Sequence, residues 1–287
     1  MRVCHSRLVA ATCLLVSVGV SAVDGGVAAA ESQRNVASVP ADLCADGSSK
    51  CVEATIKKMQ RHFEPLARAC SHQAIFSLAY LRTTQEYARA AAEPGFFQDV
   101  QFVNREDAVF AKYYFDAYDA WVAKRTAQVP RAWAIAFDAA DQRRVAGAGN
   151  LLLGMNAHVN RDLPFVLAEL GLGLKADHDK VNVFLKRVVD PLLTELTQRF
   201  DRTVDDYDTP YGLTREAMFT MLQTWRELAW QHAVQLVNAP TPAARAVVAA
   251  EIEAYAASIA RDLLVKYGYR PGLSGADERD AYCASQG

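Results

Sequence analysis

The sequence predicts an all-α fold, a single-domain bundle of about seven helices whose inner faces enclose an interhelical polar pocket. Three observations carry that prediction. From Val52 onward, apolar residues recur at spacings of three and four, the period of an amphipathic helix. Glycine and proline gather between the periodic runs and largely stay out of them, as punctuation between helices does. No stretch alternates apolar and polar residues with β-branched enrichment, so strands are not expected beyond a stray pair.

Taken in order, residues 1–30 read as a signal peptide. Arg2 and Arg7 precede an uncharged stretch from Leu8 to Val23, and Ala28 and Ala30 stand before the expected cut. That stretch is shorter than the ~20 residues needed to span a bilayer, so no transmembrane anchor is expected and the protein is read as secreted. Residues 31–51 are small and polar without a period and form an N-terminal arm. Residues 52–287 form the helical domain, with helices near 52–64, 72–92, 104–124, 142–170, 178–205, 213–238 and 241–267. Pro65 and Pro191 are expected to break or kink their helices, Asp190-Pro191 also reading as a cap and first-turn pair. The tail beyond Gly268 is expected to be irregular. No internal repeat argues for a solenoid.

Composition narrows the function. With 31 Lys and Arg against 33 Asp and Glu, nothing suggests a cationic surface, so affinity for nucleic acid or anionic membrane is not implied. Cleavage after residue 30 leaves Cys44, Cys51, Cys70 and Cys283, an even number in a chain bound for an oxidising compartment, where disulfides are expected. Spacing leaves three connectivities open. The position of Cys283 suggests a bridge pinning the tail to the N-terminal region. The glycines of Gly147-Ala-Gly149 and Gly171-Leu-Gly173 lack the preceding strand that a dinucleotide or Walker loop requires, so no nucleotide cofactor is expected.

The chemistry-bearing residues concentrate in Gly154-Met-Asn-Ala-His158-Val-Asn-Arg-Asp162-Leu-Pro. On a helix, Leu151, Met155, His158, Asp162 and Phe165 share one face, which makes His158 and Asp162 polar rungs of an apolar stripe. A histidine and an aspartate four apart can offer nitrogen and oxygen to one zinc or other divalent ion; they can equally form a buried hydrogen-bonded pair. On the next helix, His178 and Asn182 head the stripe Leu185, Val189, Leu192 and Leu196. Asp177 or Asp179 reads as that helix's cap. Asp107 leads Phe110, Tyr114, Ala117 and Trp121, either as a helix-end carboxylate in solvent or as a ligand or base. Arg226 lies between Leu222 and Trp230, either as a core salt bridge to Asp162 or Asp107 or as an anion clamp. His232 reads as a packed core histidine, and His62 and His72 receive no role.

The block Leu152-Leu-Gly-Met-Asn-Ala-His158-Val-Asn-Arg-Asp162-Leu-Pro, followed by His178-Asp-Lys-Val-Asn182, resembles the zinc-dependent phospholipase C and single-strand nuclease superfamily. That resemblance implies an exported helical enzyme with a His-Asp pair on one helix and a second histidine on another. This chain carries Asn182 where that superfamily has glutamate and lacks its further histidine, so at most one or two metals are expected. With Phe97-Gln-Asp99 and Trp225-Arg226 to Ala229-Trp230 added, the pattern more closely resembles an uncharacterised family of bacterial helical proteins, which implies a fold and no activity. The resulting expectation is a secreted metal-dependent hydrolase of phosphoester or related ester bonds, acting on a small-molecule or lipid substrate. His158, Asp162, His178 and Asn182 would hold the metal, Asp107 would be a ligand or base, and Arg226 would hold the anion. The competing expectation is a non-catalytic binding or structural protein with a metal-free polar network.

Overall fold

The chain divides into two units, Met1–Ser38 and Val39–Gly287. The computed structural model describes residues 44–273 and 275–286, all in the second unit; the expected signal peptide, and the arm as far as residue 43, lie outside them. Among the described residues the structure is helical, with an isolated bridge between Val145 and Gly268 as its one β-type pairing. No helix among them is long and apolar enough to cross a membrane.

Helix α1 is Ser49–Arg68, α2 is Ala74–Ala91 and α3 is Val100–Val122. Helix α4, Arg131–Asp141, follows a short 3-10 turn and was not anticipated from sequence. Gly147–Asn156 (α5), a π-helical segment Ala157–Asp162 and Leu163–Leu170 (α6) run on without interruption. Then come α7 (Lys175–Arg199), α8 (Arg215–Asn238), α9 (Pro242–Tyr267) and a second unanticipated helix, α10 (Ala276–Ser285), in the tail expected to be irregular.

Local chemistry explains most of the boundaries. Asp99, Thr214 and Thr241 each accept a hydrogen bond from a backbone N–H three residues on, satisfying donors the first helical turn leaves open. Gly171 closes α6 in the left-handed conformation, φ 90°, where a side chain would be strained. Pro65 and Pro191 do not break their helices: α1 and α7 continue through them. Val188, Val189, Leu192 and Leu193 are buried on both sides of Pro191, and that burial offsets the missing backbone donor. Helix α5 starts at Gly147 rather than 142 because Asp201, from beyond α7, accepts the Gly147 N–H at 2.6 Å.

Every residue of α5 is buried, so α5 is the centre of the bundle, with α2, α4 and α9 packed on it. Both disulfides are formed. Cys44–Cys51 closes a short loop ahead of and into α1, and Cys70–Cys283 ties α10 to the turn after α1. The buried Arg279 donates to the carbonyls of Cys70 and Ser71. Asp280 pairs with His72 at 3.1 Å, and His72 Nδ1 meets the Asn150 amide at 3.2 Å. His72 is therefore a structural joint between α10 and α5.

Helix α2 reaches α5 through Gly154. A Cβ there would stand 2.3 Å from the Phe76 ring, a separation no packed core tolerates. Gly154→Ala should displace Phe76 and destabilise the fold by about 1–3 kcal/mol, at about 2–4 °C of Tm per kcal/mol for a chain of this size. Thermal unfolding followed by circular dichroism checks this; an unchanged Tm would show that the two helices are not in contact there.

Candidate functional site

The π-helical segment Ala157–Asp162 holds the His158–Asp162 pair. Such widened turns recur where a helix is adapted to function. Asp162 has no exposed surface, and three donors surround its carboxylate. Trp133 Nε1 donates to Oδ2 at 2.8 Å, Arg161 Nη1 to Oδ1 at 3.0 Å, and His158 Nδ1 lies 3.3 Å from Oδ2. Arg161 is itself held by Glu253 on α9 at 2.6 Å. Burial pushes the His158 pKa below its ordinary value, outweighing the Asp162 contribution, which raises it. The imidazole is therefore neutral, and with Nδ1–H donating to Asp162 its Nε2 is left as a bare acceptor. The ring stacks on Phe110, with centroids 3.4 Å apart and planes 6° from parallel, and Tyr80 stands edge-on at 4.3 Å.

His158 lines a cavity of about 120 Å³ bounded by α2, α3, α5 with its π segment, α7 and α8. Most of the wall is aliphatic or aromatic, with Val188, Leu192 and Leu222 as examples. Four of the residues lining it each carry a buried polar atom with no hydrogen-bond partner in the protein: Tyr80 OH, Thr84 Oγ1, Asp107 Oδ2 and His158 Nε2. Burial, with the neighbouring Glu106 adding to it, pushes the Asp107 pKa up to about 8. Burial also pushes Glu106 up to about 7, with Arg226 opposing and Asp177 adding. The Tyr80 phenol is held far above its ordinary value by burial and then by Asp107. At neutral pH the residues lining the cavity thus carry one unprotonated imidazole nitrogen and three uncharged donors, the Tyr80 and Thr84 hydroxyls and the Asp107 carboxyl.

The remaining predicted residues form a separate cluster. His178 Nε2 lies 3.2 Å from the Arg226 carbonyl, and Arg226 Nη2 donates to the His178 carbonyl at 2.7 Å and meets His178 Nδ1 at 3.3 Å. Arg226 Nε donates to Asn182 Oδ1 at 3.1 Å. Burial and then the Arg226 charge push the His178 pKa down to about 2. His158, Asp162 and His178 therefore do not converge. Each occupies a core-facing rung, but His158 faces α2 and α3 whereas His178 and Asn182 face Arg226 on α8. Among the described residues no group of three or more His, Cys, Asp or Glu side chains is placed to hold a metal ion. Asp107 and Arg226 do line the cavity with His158. Arg226 forms neither of the ion pairs foreseen for it, and Asp177 does not cap α7. Its two oxygens accept the backbone N–H groups of Gln98 and Asp99, each at 2.8 Å.

Tyr80, Thr84, Glu106 and Trp133 were not singled out from sequence. Phe76, Tyr80, Thr84 and Tyr87 do form a stripe on α2, so its hydroxyl-bearing rungs were a usable signal. Trp133 had none, because its helix was unassigned.

A model described as a family of unknown function, DUF5995, matches residues 52–266, about three quarters of the chain. The chain belongs to this family. No curated protein and no solved structure matches it, so neither search returned a member of the phospholipase C and nuclease superfamily. The DUF5995 span contains all the cavity residues, whereas α10 and its bridge to Cys70 reach beyond it.

The buried titratable groups fix a pH profile. His62 and His72 are pushed down to about 4 and His178 to about 2, in each case chiefly by burial, and His158 is also lowered. These folded values lie below the unfolded one, so the stability they contribute is present above about pH 6.5 and is lost as pH falls, by up to about 1.4 kcal/mol per pH unit for each histidine. Glu106 and Asp107 have the opposite sign. Their raised folded values lend stability at low pH that is lost as pH rises through about 7 and 8. Urea midpoints should therefore pass through a maximum around pH 6 to 7. A monotonic rise from pH 5 to 9 would show that the two carboxyls are not held protonated.

Proposed function

We propose that the cavity binds a small, largely apolar molecule by a carbonyl-type oxygen, and that His158 acts on it as a general base to hydrolyse a carboxylic ester. One observation carries this reading: four buried, partnerless polar atoms belong to residues of one largely apolar cavity. Enclosed polar groups are costly unless paired, and these four have the mixture of acceptor and uncharged donors that a carbonyl and a water molecule would satisfy. In the reaction His158 Nε2 takes a proton from the water that adds to the ester carbon, while Asp162, held by Trp133, keeps the imidazole in its Nδ1–H form. Negative charge then gathers on the carbonyl oxygen, where Tyr80 OH and the protonated Asp107 donate to it in a low-dielectric site. When the tetrahedral centre collapses, the departing alcohol takes back the proton from His158.

This reading refines the hydrolase expected from sequence. A phosphodiester would bring a full charge to the His158 end of the cavity, where the lining groups are neutral and no cation is among them; a carboxylic ester brings none. We also place the protein outside the cytoplasm, on the support of its two disulfides.

The purified full chain should hydrolyse nitrophenyl butyrate. His158→Gln should lower the rate by about 10²–10⁴-fold with Tm little changed, and EDTA should leave the rate unaltered. Loss of the rate on chelation, restored by zinc, would replace this mechanism with a metal-dependent one. Absence of turnover, with short-chain alcohols still raising Tm, would leave a binding protein in its place.

A further inference from the structure

The second polar end of the cavity points to the class of substrate. Arg226 is buried, 5% exposed, and lines the same cavity as His158. Its three hydrogen-bond partners, Asn182 Oδ1, the His178 carbonyl and His178 Nδ1, are all uncharged. Among the described residues no carboxylate stands within ion-pair distance of it. The guanidinium feels the charges of Glu106 and Asp179 but has no directly paired counter-ion, and a buried charge is costly without one.

The helix pairings locate it. The Tyr80 ring meets Phe110, while seven residues further along α2 the Tyr87 hydroxyl bonds Asn104, so α2 and α3 run antiparallel along the cavity. Tyr87 also meets Phe184, on the stretch of α7 whose Asn182 holds Arg226. Tyr80, which meets His158, and Tyr87, which meets the α7 stretch that holds Arg226, are thus about two turns of α2 apart, roughly 10 Å at 1.5 Å per residue. The walls between them are apolar, Leu185, Val188 and Leu222 among them.

Resting on the ester-hydrolase reading above, we propose that the substrate is an amphipathic carboxylate: its anionic end pairs with Arg226, its chain follows the apolar walls, and its uncharged ester lies beside Tyr80 and His158. A planar carboxylate matches the fork of guanidinium donors. Glu106, on the same cavity, competes for Arg226 when ionised. Facing this pair are Asp177 and Asp179 on α7, neutral His178 between them, and Asp107 on the helix of Glu106 itself; Asp177 is engaged by backbone N–H groups and Asp179 by Lys175. With Glu106 pushed up to about 7, carboxylate binding should take up a proton and weaken as pH rises.

Calorimetric titration of the full chain with octanoate, and separately with 1-octanol, tests this. At pH 6 octanoate should bind about tenfold more tightly than 1-octanol, and Arg226→Gln should remove that preference while 1-octanol still binds. Octanoate affinity should fall about tenfold from pH 6 to pH 8 as Glu106 loses its proton, and Glu106→Gln should abolish the fall. Equal or tighter binding of 1-octanol overturns the proposal while leaving the apolar site intact. Binding of neither probe overturns the site reading and this proposal with it. Should Arg226→Gln fail to fold, Glu106→Gln decides: an unchanged pH dependence of octanoate binding in that variant overturns the proposal.

Discussion

Burying the Asp162 carboxylate without stranding its charge is the constraint that orders the centre of this molecule. A carboxylate withdrawn from water needs hydrogen-bond donors on both oxygens, and here they come from three places in the chain. Trp133 brings α4 into the core, Arg161 ties the site to α9 through Glu253, and His158 supplies the turn before. Remove the carboxylate, and Trp133 would be left buried with an unmet donor, while the partly buried Arg161 would keep Glu253 alone. The π-helical winding of Ala157–Asp162 falls in the one stretch where these demands meet.

The same carboxylate shapes the cavity next to it. By engaging Nδ1 of His158 it directs the other ring nitrogen away from the network and into apolar surroundings, where burial keeps the ring uncharged. On the opposite wall burial has the converse effect on acids, keeping Asp107 and part of the Glu106 population protonated. The chamber's largely apolar walls thus hold His158 and Asp107 neutral near pH 7, with Glu106 neutral in part, and leave the cationic charge at Arg226. Polarity is graded along its length, uncharged beneath α5 and cationic towards α8.

Sequence made the helical class and several core-facing positions legible, because periodicity reports which side of a helix is inward. It could not report which neighbour each inward side meets. His158 and His178 both sit on buried stripes, yet one faces aromatic rings of α2 and α3 and the other is absorbed by Arg226. Trp133 was invisible because Arg131-Ala-Trp-Ala-Ile-Ala-Phe137 interleaves small and large apolar residues and shows no clean stripe. Asp177 looked like the cap of its own helix because a first-turn acid suits the dipole there, but the two open N–H groups at Gln98 and Asp99 offered a stronger demand from across the fold. Pro191 looked like a break because local chemistry disfavours it in a helix, and the burial that overrides this comes from residues distant in sequence.

The bridge between Cys70 and Cys283 gives the molecule a property that none of its helices has singly. Its two sulfurs are 213 residues apart in sequence, so Cys70 waits for a partner on α10. Synthesis runs from the N-terminus, and Cys44 and Cys51 are available to each other early. The second pair can close only after α10 has emerged and docked against His72. Its closure therefore registers that two distant stretches of the chain have already found each other.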